Sequence, residues 1–423
     1  MFQCVISRIV TQSCAYFQCG ISRRTFQSDK MIRKLFHQTL LSQYSHRGIH
    51  RSAIMLVAVT RGHKPVVSKR LLSKSITGES SFANRLIEKW IYEVEPFGKL
   101  DINVPFDVEI STLNPQEYPE MNKALITILT KEDGQNDKAR SFADIYNLKI
   151  DLCSDKKNLT VTTDMADGIV LPVTCSIKLP LKFDVRVRNK QPCDVSIKKT
   201  ECDDIDVVLT RGDCLLKNIK SGKVAVECGN GSITSDALLQ GNIRLKAAGK
   251  GCIKGKRFQG STVECITEAG DLHIDAVYAD KSHFYSCHGD IHLGSCHGST
   301  DVKLDTGNLI VDTLNGDLSA AIDDGNIDIF IERHDKVDLS CGEGDINLKC
   351  RKDLKSDITV IADSVAVDDD IKFDHKTSSH AGQFKHEGFL TSQGAGKIYA
   401  HTRKGTVKIT CHNWLSSLGL KFD

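Results

Sequence analysis

The sequence predicts an all-β fold: a single-chain, β-helix-like β-solenoid with rungs of about 19 residues and a small α/β cap at its N-terminal end. Three observations predict it. Glycine returns every nine or ten residues, at Gly212, Gly222, Gly231, Gly241, Gly251, Gly260, Gly270, Gly289, Gly298, Gly307, Gly316, Gly325 and Gly344. In two places the gap doubles to 19, and there Asp280 and Asp335 stand where glycine is expected. Most of these glycines precede Asp or Asn and an apolar–any–apolar triplet, as in Gly270-Asp-Leu-His-Ile and Gly344-Asp-Ile-Asn-Leu. Finally, the doubled step through 212, 231, 251, 270, 289, 307, 325 and 344 stays at 18–20 residues over seven repeats.

Each observation has a physical reading. Alternation such as Val224/Val226, Ile291/Leu293 or Ile327/Ile329 puts one strand face inward and the other outward. Glycine supplies a positive φ at a tight corner, and the following Asp or Asn side chain hydrogen-bonds turn backbone. Two strands and two corners then make one coil with two main sheets. A β-meander with a hairpin every nine residues would give similar spacing and is the rival topology. Hairpins prefer Asn-Gly or Asp-Gly order, whereas this chain repeats Gly-Asp and Gly-Asn. One rung cannot hide its apolar face alone, so stability must come from stacking many rungs and closing the ends.

Taken in chain order, residues 1–78 hold thirteen Lys/Arg and one acid, Asp29, leaving 43 basic against 53 acidic residues and a net charge of −10 in the remainder. A basic, acid-poor leader with an amphipathic stretch at Ile32, Leu35, Phe36 and Leu40 fits a mitochondrial transit peptide. A disordered basic tail for RNA or anionic membrane is the competing reading. No run of about 20 apolar residues exists, so no transmembrane segment is expected.

Residues 79–180 read as the N-terminal cap: a short helix over Ser81–Tyr92, strands at Leu100–Ile110, Ala124–Thr130 and Leu148–Leu152, and a crossing helix at Asn136–Tyr146. The solenoid core follows at 181–349. It opens with Asp184-Val-Arg-Val, Asp194-Val-Ser-Ile and Asp204-Ile-Asp-Val, which keep the ten-residue step without glycine. Residues 350–423 read as irregular rungs and a C-terminal cap, with a polar interval at 350–390, late repeats at Gly396-Lys-Ile-Tyr and Gly405-Thr-Val-Lys-Ile, and Trp414, Leu415, Leu418 and Leu420 closing the end.

Chemistry is thinly signalled. Sixteen cysteines, thirteen of them after residue 78, include Cys228, Cys287, Cys296 and Cys341 just before glycine corners. Buried free thiols suit such corners as small apolar groups. The run Ser282–Gly298 repeats Ser-Cys-His-Gly and nominates Cys287, His288, His292, Cys296 and His297 as zinc ligands. In a coil, residues nine apart lie a strand-length of roughly 17 Å from one another, so only the hairpin topology brings these side chains to one ion. A calcium ladder would need several carboxylates at each turn, and the turns here carry one. Paired acids of a polysaccharide-cleaving solenoid could be Asp323/Asp324 with Asp328, or Asp368–Asp370; turn and surface duty explains them more simply. No nucleophile elbow, phosphate-binding loop, zinc-protease helix or dinucleotide fingerprint occurs. The acidic body disfavours broad nucleic-acid binding. Asn158-Leu-Thr and Asn230-Gly-Ser match glycosylation acceptors, which matter only on a secretory route.

The runs Gly270-Asp-Leu-His-Ile, Gly289-Asp-Ile-His-Leu and Gly316-Asp-Leu resemble the "putative adhesin" β-solenoid domains of bacterial envelope proteins. The basic leader joined to such a domain, with Gly405-Thr-Val-Lys-Ile and Trp414, resembles more closely the animal proteins called family with sequence similarity 185, over about residues 90–420. The resemblance implies the solenoid fold and supplies no catalytic residues and no cofactor. The leading expectation is a non-enzymatic scaffold, soluble in mitochondria, presenting one face to a protein partner through outward residues such as His273, His292, Lys303, Asp328 and Asn347. The alternative is a carbohydrate-active solenoid using an acidic pair. A metal or redox sensor would require Cys287 and Cys296 to meet.

Overall fold

The computed structural model describes residues 86–131, 147–164, 172–368, 372–378 and 383–412, all within the unit Pro65–Asp423. Every regular element among the described residues is a β-strand. In the central coils these are β10 (Glu201–Leu209), β11 (Cys214–Lys217), β12 (Ile219–Cys228), β13 (Ile233–Ala247), β14 (Ile253–Thr267), β15 (Leu272–His288), β16 (Ile291–Thr306), β17 (Leu309–Asp324), β18 (Ile327–Arg333) and β19 (Lys336–Glu343). Their neighbours run parallel, and paired residues are one rung apart: Ile233 meets Ile253, Leu272 meets Ile291 and Ile291 meets Leu309. This winding excludes the hairpin rival, in which neighbours would be antiparallel.

The coil has three sides rather than two. Along β15, the alternation of buried and outward residues slips at Asp275-Ala276 and again at Asp280-Lys281. Each slip re-aims the side chains, because a strand keeps its faces only while the period of two holds. Side one buries Leu272 and Ile274, side two Val277, and side three Ser282, Phe284 and Ser286. Like stacks on like: the side-two column reads Leu239, Phe258, Val277, Cys296 and Leu314. Each Val, Ile, Leu or Phe so buried contributes roughly 1.5–3 kcal/mol. Phe183, Phe258 and Phe284 are the largest of the fully buried side chains.

The repeated Gly-Asx pair now has a sharper explanation. A Cβ added at Gly231, Gly251, Gly270, Gly325 or Gly344 would lie 1.8–2.1 Å from the carbonyl oxygen of the preceding corner glycine. Close approach between coils therefore excludes a side chain, even at corners where φ is not left-handed. The Asx side chain bonds the next coil and not its own turn. Asp271 Oδ1 accepts the N–H of Asp290, Asp290 that of Asn308, Asn308 that of Asn326, Asn326 that of Asp345, and Asp345 that of Thr406, at 2.8–3.1 Å. In the other glycine column, Ala279 and not Asp280 takes the missing place, in register with Gly260.

Both ends depart from sequential stacking. The N-terminal strands are β1 (Leu86–Glu93), β2 (Phe97–Asn103), β3 (Asp107–Thr112), β4 (Lys123–Thr130), β5 (Leu148–Leu152), β6 (Asn158–Thr163), β7 (Val173–Leu179), β8 (Lys182–Asn189) and β9 (Val195–Lys198). β2 sits between β6 and β8, and β3 between β7 and β9. The helix expected over Ser81–Tyr92 is a strand where described, since β1 pairs antiparallel with β4. Leu86, Ile87, Trp90 and Ile91 suit a helix face locally, but pairing to β4 overrides that spacing. The expected helix at Asn136–Tyr146 lies outside the described residues.

At the other end come β20 (Ile346–Arg351), β21 (Ser356–Ala362), β22 (Ser364–Val367), β23 (Lys372–Ser378), β24 (Phe384–Leu390), β25 (Gly396–Lys404) and β26 (Thr406–His412). The chain builds the outer coil first and then returns. β25 inserts between β19 and β21, and β26 between β20 and β22. The closing residues Trp414, Leu415, Leu418 and Leu420 lie outside the described residues. Among the described residues, all antiparallel pairs, β1–β4, β4–β7, β5–β6, β21–β24 and β23–β24, lie at the two ends. Such strands interrupt the open parallel edge a stack would otherwise present.

His334, in the corner between β18 and β19, pins the inserted coil. Its Nε2 lies 2.9 Å from Ser356 Oγ on β21, reaching past Gly396 of β25, where an added Cβ would come within 2.9 Å of it. Ser356 donates its own proton to Asp357 O, so Nε2–H is the donor and the buried Nδ1 has no partner. Burial holds the His334 pKa below its ordinary value, against an opposing pull from Asp317 and Asp335. Below about pH 6.5 the unfolded chain therefore takes this proton more readily than the folded one. Stability is expected to fall as the pH drops through that range and to be flat above it, and His334→Gln to remove part of that acid-range loss. Thermal melts between pH 5 and 8 check this; an unchanged slope in the variant refutes the assignment.

Candidate functional site

Outward side chains form columns along the stack, one side chain per rung. On side one, His273, His292, Ile310, Asp328 and Asn347 follow in register. Four of the five residues expected to share a face thus do so. Lys303 does not: it lies on side three beside Tyr285, with its Nζ 5.7 Å from that ring. His273 bonds Asp275 at 3.0 Å, His292 bonds Asp312 at 2.9 Å, and the two imidazoles meet edge-on at 4.6 Å.

Side two carries the strongest stacking feature. The Arg257 guanidinium lies 5.1 Å from the Tyr278 ring centre, and Tyr278 stacks on His297 at 4.5 Å with 17° between planes. Parallel register produces this, because Tyr278 pairs directly with His297 on the next rung. Both ring faces of Tyr278 are taken by these neighbours, so neither is open to stack on a sugar. Side three carries paired charges, Arg244 with Glu264 at 3.0 Å and His283 with Asp301 at 2.8 Å, beside an open groove of about 570 Å³.

The five nominated zinc ligands are distributed around the coil. Cys287 and His288 end β15 on side three, where Cys287 meets the Tyr285 hydroxyl at 3.2 Å and His288 meets Thr306 at 2.6 Å. His292 is on side one. Cys296 points into the core, and His297 lies outward on side two. Among the described residues no group of three or more His, Cys, Asp or Glu side chains is arranged to hold a metal ion.

Two of the nominated acids, Asp328 and Asp368, bond residues of neighbouring strands. Asp328 binds Lys349 Nζ at 2.7 Å and Asn347 at 3.2 Å. Asp324 ends β17 in register with Thr306 and Glu343. Asp368 accepts the Cys411 N–H at 3.0 Å, while Asp369 and Asp370 lie outside the described residues.

All thirteen described cysteines are free thiols. Burial pushes Cys175 and Cys296 up to about 12, so almost no thiolate exists at neutral pH. Native-state alkylation at pH 8 is expected to modify exposed Cys153 at least a hundredfold faster than Cys175 or Cys296. Peptide mass mapping reads the order, and equal rates would contradict the burial. The stacked Arg257–Tyr278–His297 column escaped the sequence reading. Its signal was present as Tyr278 and His297 nineteen residues apart, one coil period.

No described helix is long and apolar enough to cross a membrane. Among solved structures, the chain is similar to a "putative adhesin" of Bacteroides fragilis NCTC 9343, with 11% identity and a TM-score of 0.28 over 77% of this chain and 96% of that one. It is similar also to one of Parabacteroides merdae ATCC 43184, with 12% identity and a TM-score of 0.31 over the same shares. A "putative cell adhesion protein" of Clostridium sporogenes ATCC 15579 shares 10% identity, with a TM-score of 0.18, over 77% of this chain and 99% of that one. Residues 121–410, more than half the chain and including every central coil, match the family described as Toastrack DUF4097, and the protein belongs to that family.

Proposed function

We propose that this chain is a non-enzymatic β-solenoid scaffold that works in mitochondria by holding a protein partner against its outward columns. The carrying observation is the column Arg257–Tyr278–His297, with Arg257 and Tyr278 exposed and His297 half-buried, on a backbone fixed by hydrogen bonds to the coils on either side. Side chains held in one geometry lose little freedom on binding, which favours a preorganised binding surface. Aromatic and arginine side chains are also those enriched where binding energy concentrates. The thirteen basic residues and single acid of residues 1–78 support import through a transit peptide. Together with Gly405-Thr-Val-Lys-Ile and Trp414, that leader supports a place among the animal proteins of family with sequence similarity 185.

Proximity labelling with the full chain in intact cells tests both parts. Mitochondrial neighbours, reduced in number or yield when Tyr278→Ala and Arg257→Ala are combined, are the expected result. Recovery of secretory-pathway neighbours alone overturns the localisation, and a neighbour set indifferent to the double variant overturns the role of this column.

A further inference from the structure

We infer that the corner between sides one and two, over the N-terminal half of the stack, is a docking surface for an acidic, extended segment of a partner protein. This rests on the scaffold reading and names the partner's chemistry. Lys178, Ser111, Lys198 and Lys217 follow one another in register across four adjacent strands. Lys199 and Lys220 stand at the same corner, and Lys256 and Arg257 continue it on β14. Between Asp236 and Glu264 the sequence contains no acid at all. Lys178, Lys199, Lys217, Lys220, Lys256 and Arg257 are all exposed, and none makes an ion pair among the described residues.

Lys199 adds a second observation. It holds φ at +56°, matched one rung on by Asn218 at +54°. Asn tolerates this left-handed corner, whereas a lysine there is strained. Its side chain stands exposed at this corner and makes no ion pair among the described residues.

From Lys178 to Lys256 is about five strand spacings, or about 24 Å at ~4.8 Å each. An extended peptide rising ~3.3 Å per residue covers that length in about seven residues. The ridge is one or two side chains wide; Glu201 and Asp236 interrupt it, and Lys198 is paired with Glu109 at 2.6 Å. The body around it carries a net charge of −10 over residues 79–423. A broad polyanion, whether nucleic acid or anionic bilayer, would meet that surrounding negative charge. A narrow acidic chain follows the line of cations and leaves most of that negative surface uncovered.

The test uses the full chain and a fluorescein-labelled Glu-Gly-Glu-Gly-Glu-Gly-Glu peptide at low ionic strength, read by anisotropy. Binding is expected to weaken with added salt, at least tenfold with Lys217→Glu, Lys220→Glu and Lys256→Glu combined, and less than twofold with Lys303→Glu and Lys408→Glu combined. If the charge-reversed chain fails to fold by circular dichroism, the three Gln substitutions replace it, with at least a threefold loss expected. Equal loss in the control pair overturns the proposal, as does no loss, or tighter binding of a single-stranded RNA or of phosphatidylserine vesicles. Cross-linking in cells separates the two levels. Partners that cross-link equally to the full chain and the triple variant sink this ridge and leave the scaffold standing. A full chain that cross-links to nothing sinks the scaffold itself.

Discussion

Replacing Gly325 by valine is expected to lower stability by about 3–4 kcal/mol. Gly325 holds φ at +145°, and a Cβ there would sit 1.8 Å from Gly307 O and 2.7 Å from its carbonyl carbon. Forcing a β-branched residue into that conformation costs about 1–3 kcal/mol, and the contact adds to it because both obstructing atoms are backbone. The corner must then open, lengthening the bond from Gly325 N to Glu343 O and those joining Asn308, Asn326 and Asp345. Gly222→Ala is the comparison. Its nearest backbone oxygen is at 2.9 Å and its φ is not left-handed, so a loss of about 1 kcal/mol is expected. Urea denaturation of the two variants reads the contrast. Equal losses would mean that stacking distance does not explain the glycine clock.

That clock was legible because it is local. Gly-Asx followed by an apolar–any–apolar triplet recurs within each coil, so the winding and the inward columns could be read without long-range information. The reason first assigned to the glycine was incomplete: at Gly231, Gly251 and Gly270 the neighbouring coil's carbonyl, and not a left-handed φ, forbids a side chain. The third side stayed hidden because the corner at Asp275-Ala276 carries no recurring glycine: Gly294 stands there one coil on, but Asp236 holds the place two coils before. At β1, Trp90 and Ile91 could suit a helix or a strand, and only the distant β4 decides between them.

The candidate site was legible only as composition. Cys287, His288, His292, Cys296 and His297 are close in sequence, yet a coil turns them to three sides and into the core. The Arg257–Tyr278–His297 column joins residues about one coil apart, a distance at which no local motif exists. Charge was easier to read in sum than in place. The excess of acids over residues 79–423 concealed the basic corner, since the lysines of that corner come from strands up to 80 residues apart.

Ending the chain after Gln393 is expected to abolish the folded C-terminal third, an effect larger than loss of a last rung would give. The removed strands β25 and β26 are last in sequence but internal in space. Without them, β19 and β20 each lose a parallel neighbour, and β21 and β22 lose the strands that hold them to the stack. Ile398, Val407 and Ile409, at most 2% exposed, leave the core. Their burial alone contributes on the order of 5 kcal/mol. The vacated position bares the edges of Lys336–Glu343 and Ile346–Arg351, whose Val337, Leu339, Ile346 and Leu348 become accessible. Open apolar edges of this kind pair with other copies, so size-exclusion chromatography should show oligomers or loss of soluble protein. Ending the chain after His412 instead keeps every described strand pairing and serves as the reference. Hydrogen exchange in β18–β20 separates the two architectures. A stack built in simple sequence order would keep these strands protected in the shorter chain, whereas insertion requires their protection to collapse.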